Sequence, residues 1–396
     1  VSADSPGTQR EILEAALAAD PDDTAAHAAY ADLLIEEGDP RGEFARVQLA
    51  LETTPPGTDH DALRARSQEL LSEHIEGWLG ALAGPLLDDT GARLGFRRGW
   101  LDEIELPTVR DWLAEAIAAA PETRLLRRLA VIDPDAPELD RADAYGTHVL
   151  VGSAWFEEDE EAALVPLLES PYLGNVRAFQ LGSHESERCG AGDGPVAGLI
   201  EKMPRLEELQ LFLWKFEDAE RVFAMSFPRL KVLRVGGVFS HPVATLAQNA
   251  SLTALEDLMI QSASPGGHQK LWPDECAELV RSPHLTALRH LSLPFVLAGD
   301  AVCEALAESG LLGRLRTLDL GYGQITDAGA AALAGSPDLA KLERLDLTGN
   351  HLTAEGIERL RATGVPLVWE PQTEPDPIGE EGDGEMGDAG EEPPAE

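Results

Sequence analysis

The sequence predicts an α/β solenoid, with parallel strands on a concave face and helices on a convex face, preceded by a small all-α domain. Three observations predict it. An apolar triplet of the form L-x-x-L-x-L recurs over most of the chain, commonly at intervals of about 24 to 33 residues. Segments with helical apolar spacing lie between the last triplets. The first fifty or so residues show capped helical spacing and no triplet at all.

The opening helices come first. Residues 8–52 read as three short helices. Ile12, Leu13, Ala16 and Leu17 share one stripe of the first, which runs from about Thr8 to Ala19. Asp20-Pro21 punctuates, because Asp caps a following helix and Pro suits its first position. A second helix carries Ala26, Tyr30, Leu33 and Leu34 and stops at Gly38, suited to a left-handed cap. Asp39-Pro40-Arg41-Gly42 reads as a turn before a third helix with Phe44, Val47, Gln48 and Leu51.

This stretch resembles the bacterial repeat-companion domain, a helical module that precedes leucine-rich or other repeats in large paralogous families. The residues that carry the resemblance are Asp20-Pro21-Asp22-Asp23, Tyr30-Ala31-Asp32, Glu37-Gly38-Asp39-Pro40-Arg41-Gly42-Glu43-Phe44 and Gln48. Leu33 stands where the usual form has Trp. The resemblance implies bacterial origin and architecture, and no chemistry. Asp32, Glu36, Glu37, Asp39, Arg41 and Glu43 cluster near one turn. A salt-bridged turn, with Arg41 neutralising carboxylates, is favoured there over a metal site.

Residues 53–60 form a loop. A long helix follows from about Asp61 to Leu79, with Leu63, Leu70, Leu71, Ile75 and Trp78 apolar, and Trp78-Leu79-Gly80 matches the same resemblance. Residues 53–100 are therefore expected to be a helical linker and cap, because an open end of a repeat core would be wet.

The repeats occupy 101–369. Three copies share a long form: Pro171 to Leu181, Pro283 to Leu293 and Pro337 to Leu347. Leu206/Leu209/Leu211, Leu230/Leu233/Val235, Leu255/Leu258/Ile260 and Leu315/Leu318/Leu320 repeat the core spacing. Leu101/Ile104/Leu106 and Leu126/Leu129/Val131 look like earlier copies. The triplets end at 106, 131, 181, 211, 235, 260, 293, 320 and 347. The wide gap after 131 is expected to hide a degenerate repeat with its strand near His148-Val149-Leu150-Val151. The last two apolar residues of each triplet lie two apart, so they face one side of a short strand and pack into the solenoid core. Thr326 and Thr353 are expected N-caps of the return helices.

The pattern resembles the ribonuclease-inhibitor-like subclass of leucine-rich repeats. That resemblance implies about nine or ten repeats and helices on the convex side. The subclass places Asn or Cys three residues after the last strand leucine. Here only Asn350 fits, and Trp214, Val238, Ala263, Val296 and Gly323 fill the position elsewhere.

Composition narrows the function. The 396 residues carry 31 bases and 71 acids, a formal charge of −40. From 370 on there are eleven acids and no base, so 370–396 reads as a disordered acidic tail. The body alone keeps 60 acids against 31 bases, −29. Such a chain lacks the basic footprint of a nucleic-acid binder or of a protein that adheres to anionic membranes. Three cysteines, none in C-x-x-C, argue against a disulfide framework and for a reducing cytoplasm. Val1-Ser2-Ala3-Asp4-Ser5 is no signal peptide as it stands.

No P-loop, zincin, nucleophile-elbow or kinase motif is present. Gly190–Pro195 lacks the Lys of a phosphate cradle, and His184, Glu185, Glu187 and Cys189 match no metal spacing. Cys276 and Cys303 look like core. A non-catalytic interaction protein is therefore expected, without cofactor, metal or small-molecule substrate, that binds a protein on its concave face. An inhibitor or specificity subunit of an enzyme complex is the alternative. The variable positions of the triplets project from that face and mix both charge signs, as recognition of a folded partner requires. The candidate contacts are Glu208, Gln210, Phe212, Trp214, Arg234, Met259, Arg289, His290, Arg316, Asp319, Arg344 and Asp346. Phe212 is expected to be an exposed aromatic anchor.

Overall fold

The computed structural model describes residues 6–88, 90–132, 148–150, 164–182, 195–213, 216–237, 242–262, 273–295 and 299–373. Four helices open the chain: α1 (Pro6–Ala19), α2 (Thr24–Glu36), α3 (Pro40–Leu51) and α4 (Thr58–Leu79). Asp23 caps α2 by accepting from Ala25 N and Ala26 N. Asp39 caps α3 by accepting from Arg41 N, with Pro40 at the first helical position. Pro40, Arg41 and Gly42 thus begin a helix instead of forming a turn. Gly42 is there because α2 crosses against it: a Cβ would lie 2.7 Å from Ala31 O. Ile12 does not belong to the buried stripe of α1. It is 56% exposed, while Leu17 is fully buried.

After the short helix α5 (Ala83–Leu87) the chain enters a 12-stranded sheet. Its strands are β1 (Arg93–Arg97), β2 (Trp100–Leu106), β3 (Arg128–Val131), β4 (His148–Leu150), β5 (Ala178–Leu181), β6 (Glu208–Leu213), β7 (Val232–Gly237), β8 (Asp257–Ser262), β9 (His290–Ser292), β10 (Thr317–Asp319), β11 (Arg344–Asp346) and β12 (Leu367–Val368). β1 and β2 are an antiparallel hairpin. Its two-residue turn holds Arg98 at φ 51° and Gly99 at φ 82°, the geometry that matches strand twist in tight hairpins. The cap at 53–100 is therefore part helix and part strand. From β2 onward the repeat strands pair in parallel, through to β12.

β4 corrects the expected degenerate repeat. β3 pairs directly with β5, and β4 lies at the far edge of the sheet, antiparallel to β1. The wide gap in the triplet spacing is thus an excursion to the array's end, not a repeat inside it.

The return helices are α6 (Asp111–Ala119), α7 (Val196–Glu201), α8 (Ala219–Phe223), α9 (Val243–Ala247), α10 (Pro273–Val280), α11 (Gly299–Ser309), α12 (Asp327–Gly335) and α13 (Ala354–Arg361). One core cluster runs from Phe44 and Trp78 to Val365. The triplet residues Leu209, Leu258, Leu318 and Leu345 are fully buried in it, as are Cys276 and Cys303. Each repeat alone buries too little, so stacking supplies the core. Among the described residues no helix is long and apolar enough to cross a membrane.

Candidate functional site

The register aligns the outward residues in columns across the sheet. One column reads Arg128, Ala178, Glu208, Val232, Asp257, His290, Thr317 and Arg344. The next reads Ala130, Gln180, Gln210, Arg234, Met259, Ser292, Asp319 and Asp346. The face splits into two halves with different electrostatics.

On β3 to β6 the polar side chains satisfy one another. Arg128 donates to Gln180 Oε1 at 2.8 Å and to Glu208 Oε1 at 3.3 Å, and Gln210 Nε2 donates to the same Glu208 oxygen at 2.6 Å. Arg128, Gln180 and Gln210 are all buried. Phe212, expected as an exposed anchor, is only 4% exposed. Its ring fills the place that a side chain on Gly236 of the next strand would take, with a Cβ there 2.8 Å from Phe212 Cδ1. Gln210 and Phe212 are therefore core-like parts of the face, and Glu208 is held by its neighbours. Trp214 lies outside the described residues.

On β7 to β11 the outward side chains are half-buried or exposed. Arg234 pairs with Asp257 at 2.7 Å and remains 37% exposed. Arg316 is 60% exposed, with Glu343 only at 3.9 Å. Among the described residues Arg289 reaches only the adjoining Leu288 carbonyl, at 2.9 Å. Met259 is half-buried beside them. His290 Nδ1 and Thr317 Oγ1 are hydrogen-bonded at 2.8 Å, and Ser292 donates to Asp319 Oδ2 at 2.8 Å. Burial pushes the Asp319 carboxyl above its ordinary range, with the Asp346 charge adding to it against donation from Gly321 and Ser292. Burial acts the same way on Asp346, but hydrogen bonds from Arg344 and Thr348 outweigh it and hold that carboxyl low. Nine of the twelve expected contact residues thus reach the face without being buried or undescribed, and eight of them, from Arg234 to Asp346, lie on β7 to β11 or just before these strands.

The helical start of the chain lies along one edge of the first repeats. Trp100 stacks on Tyr30 with centroids 5.3 Å apart, and the Arg41 guanidinium covers it at 4.7 Å. Arg41 donates to Gly99 O at 2.6 Å, so it stitches α3 to the hairpin instead of neutralising the acidic turn. That turn is served by others: Arg10 pairs with Glu37 at 3.3 Å, Arg66 with Glu43 at 2.8 Å, and Arg46 with Asp32. Asp22 receives Arg177 of the repeats at 2.5 Å, and Arg205 donates to Ala19 O at 2.7 Å. No spacing in the sequence signals these contacts, which join residues more than 150 positions apart.

Among the described residues no group of three or more His, Cys, Asp or Glu could hold a metal ion. The expected cluster at His184 to Cys189 lies outside them.

Residues 315–334 and 339–360 match the family model for the Leucine Rich repeat. These segments span β10 with α12 and β11 with α13, two successive strand-and-helix turns of the solenoid. A Bacteroides fragilis protein of known crystal structure is similar over 66% of this chain and 71% of its own, at 17% identity and a TM-score of 0.48. No curated protein matches the sequence.

Proposed function

We propose that this protein is a non-catalytic scaffold or adaptor that binds a protein partner on the concave face of β7 to β11. Leucine-rich repeats generally mediate protein–protein interaction, and stacked repeats offer an extended concave surface for it. One observation carries the choice of region: on β3 to β6 Arg128, Gln180 and Gln210 are buried in one hydrogen-bond network with Glu208, whereas Arg234, Arg316 and Arg344, on or just before β7 to β11, keep exposed guanidinium groups. Arg234, Met259, Arg289, His290, Arg316 and Arg344, with Asp319 and Asp346, form the contact set. Arginine supplies interface anchors because its planar fork makes several hydrogen bonds at once. Glu208, Gln210 and Phe212 shape the adjoining wall. The −40 charge favours protein over nucleic acid or anionic membrane. The cytoplasm of a bacterium is the setting that the three cysteines, none in C-x-x-C, and the N-terminal resemblance support.

The test is capture of partners by the full chain and by a chain carrying Arg234→Glu and Arg289→Glu, followed by titration of the purified partner. Loss of affinity of at least tenfold in the variant, with unchanged melting, is the expected result. Equal affinity would move the site off this face. Recovery of an enzyme whose activity or substrate choice changes on binding would favour the inhibitor or specificity-subunit reading.

A further inference from the structure

Two aromatic residues at the end of β9 and β10 stand out. Phe295 and Tyr322 occupy equivalent places in successive repeats, and their rings stack at 4.5 Å with planes 9° apart. That separation is close to the spacing of neighbouring strands, so the rings stand like leaves along the ladder. Both residues hold left-handed backbone, at φ 58° and φ 56°. Bulky side chains rarely adopt it. The next repeat has Gly349 at the same place, at φ 69°, and the Tyr322 ring leans across it. The turn is therefore one that glycine can make unaided. The two aromatics adopt it at a cost and remain half-buried, not sealed in the core. Strain of this kind persists where the surface it creates is used.

The surroundings give the sign of the ligand. Asp319 and Asp346 end β10 and β11, three residues before Tyr322 and Gly349 in the turns that follow. Asp319 accepts only from Ser292 and the Gly321 amide, and no basic side chain pairs with it among the described residues. The whole chain carries −40, which draws cationic surfaces toward it. Elsewhere this protein already pairs guanidinium groups with aromatic faces: Arg361 lies 4.1 Å over Trp369, and Arg41 lies over Trp100. Arginine is the commonest cation in such contacts.

We propose that the Phe295–Tyr322 ridge, with Asp319 beside it, receives an arginine-bearing basic segment of the partner protein. This rests on the concave-face reading and names the chemistry of its partner. The guanidinium lies against the exposed part of the ring pair and its N–H groups donate to the carboxylate. Arg289, Arg316 and Arg344 meet acidic groups on the rest of the partner.

The experiment uses the full chain and three fluorescent peptides of alternating Arg-Ala, Lys-Ala and Glu-Ala sequence, at near-physiological salt. The site variant is Phe295→Gly with Tyr322→Gly, which suits the left-handed backbone and so keeps the fold. A second variant, Asp319→Asn, keeps the shape and removes the charge. The Arg-Ala peptide should bind more tightly than Lys-Ala, and each variant should weaken it, the double glycine variant by about tenfold, with melting retained. Equal Arg-Ala affinity in the glycine variant, or equal affinity for Arg-Ala and Lys-Ala, would overturn the proposal and leave only general attraction to an acidic chain. Binding of Glu-Ala that is lost with Arg234→Glu and Arg289→Glu would also overturn it, while keeping the concave-face reading. If no peptide binds and those arginine changes still abolish partner affinity, the ridge proposal falls and the concave face stands. If they do not, both fall.

Discussion

Gln372 makes at the end of the array the contacts that Asn350 makes one repeat earlier. Asn350 donates to Leu320 O and Leu347 O at 2.9 and 3.0 Å and accepts from Gly323 N and Ile325 N at 3.0 and 2.9 Å. Gln372 donates to Leu347 O at 2.9 Å and accepts from Leu352 N at 3.0 Å. Each amide bridges its own turn to the preceding one. The terminal segment thus closes the last repeat's backbone groups, which would otherwise lack partners.

Asn350→Ala is expected to destabilise the chain by about 3 kcal/mol or more, because Asn350 is fully buried and its loss strands several backbone groups. Gln372→Ala, at a half-buried position, should cost only about 1 kcal/mol. Urea unfolding of the two variants checks the order. Equal effects would contradict a deeper role for Asn350.

Phe212→Ala should cost about 3–5 kcal/mol, as for other buried aromatics, and should not act as a simple surface change. Gly236→Ala should cost about 1–3 kcal/mol by driving a Cβ into the Phe212 ring. Made together, the two should be less costly than their sum, since the alanine partly fills the space that Phe212 leaves. A double-mutant cycle in chemical denaturation measures this. Strict additivity would remove the contact as their cause.

His27 gives a pH dependence of known sign. Burial lowers its pKa, helped by the charges of Arg98 and Arg127 and opposed by the Pro21 carbonyl, at 3.0 Å from Nε2, and by Glu52. The folded chain therefore takes up its proton less readily than the unfolded chain does. Its contribution is present above the ordinary histidine value of 6.5 and is lost as pH falls below it. Unfolding midpoints at pH 7.5 and 5.5 should differ less in a His27→Gln chain than in the parent. An undiminished difference would place the effect elsewhere.

Cys276 and Cys303 should resist alkylation in the native protein. Burial pushes the Cys276 thiol up to about 12, with the Glu275 charge adding to it, and raises Cys303 as well. The thiolate is the reactive form, so their rates should fall roughly a hundredfold or more below that of a free thiol. Peptide mapping after timed iodoacetamide treatment separates them from Cys189. Rapid labelling of either would show that its helix opens.

Much of this was legible in the residues. Leu318, Leu320, Leu345 and Leu347 announced the strands and their inward side, since period-two spacing must match the pleat. Thr326 and Thr353 announced the caps, each accepting from a backbone amide two residues on. Phe212 misled because strand alternation says which side a residue faces, not whether a neighbour leaves a hollow for its ring. Gly236 made that hollow from the next repeat. Gln372 was missed because 370–396 read as a disordered acidic tail, whereas Gln372 and Thr373 hydrogen-bond to the last repeat, and 374–396 lie outside the described residues.

The sequence by itself determined the period, the parallel sheet, the helical start and the acidic charge, because these follow from local spacing and composition. Only the tertiary structure decided that Asp22 meets Arg177, that β4 returns to the sheet's far edge, and that Arg128 is buried on one half of the face while Arg234, Arg316 and Arg344 stay exposed on the other. Those outcomes depend on residues far apart in the chain competing for the same space and the same hydrogen-bonding groups, and no local pattern records which of them meet.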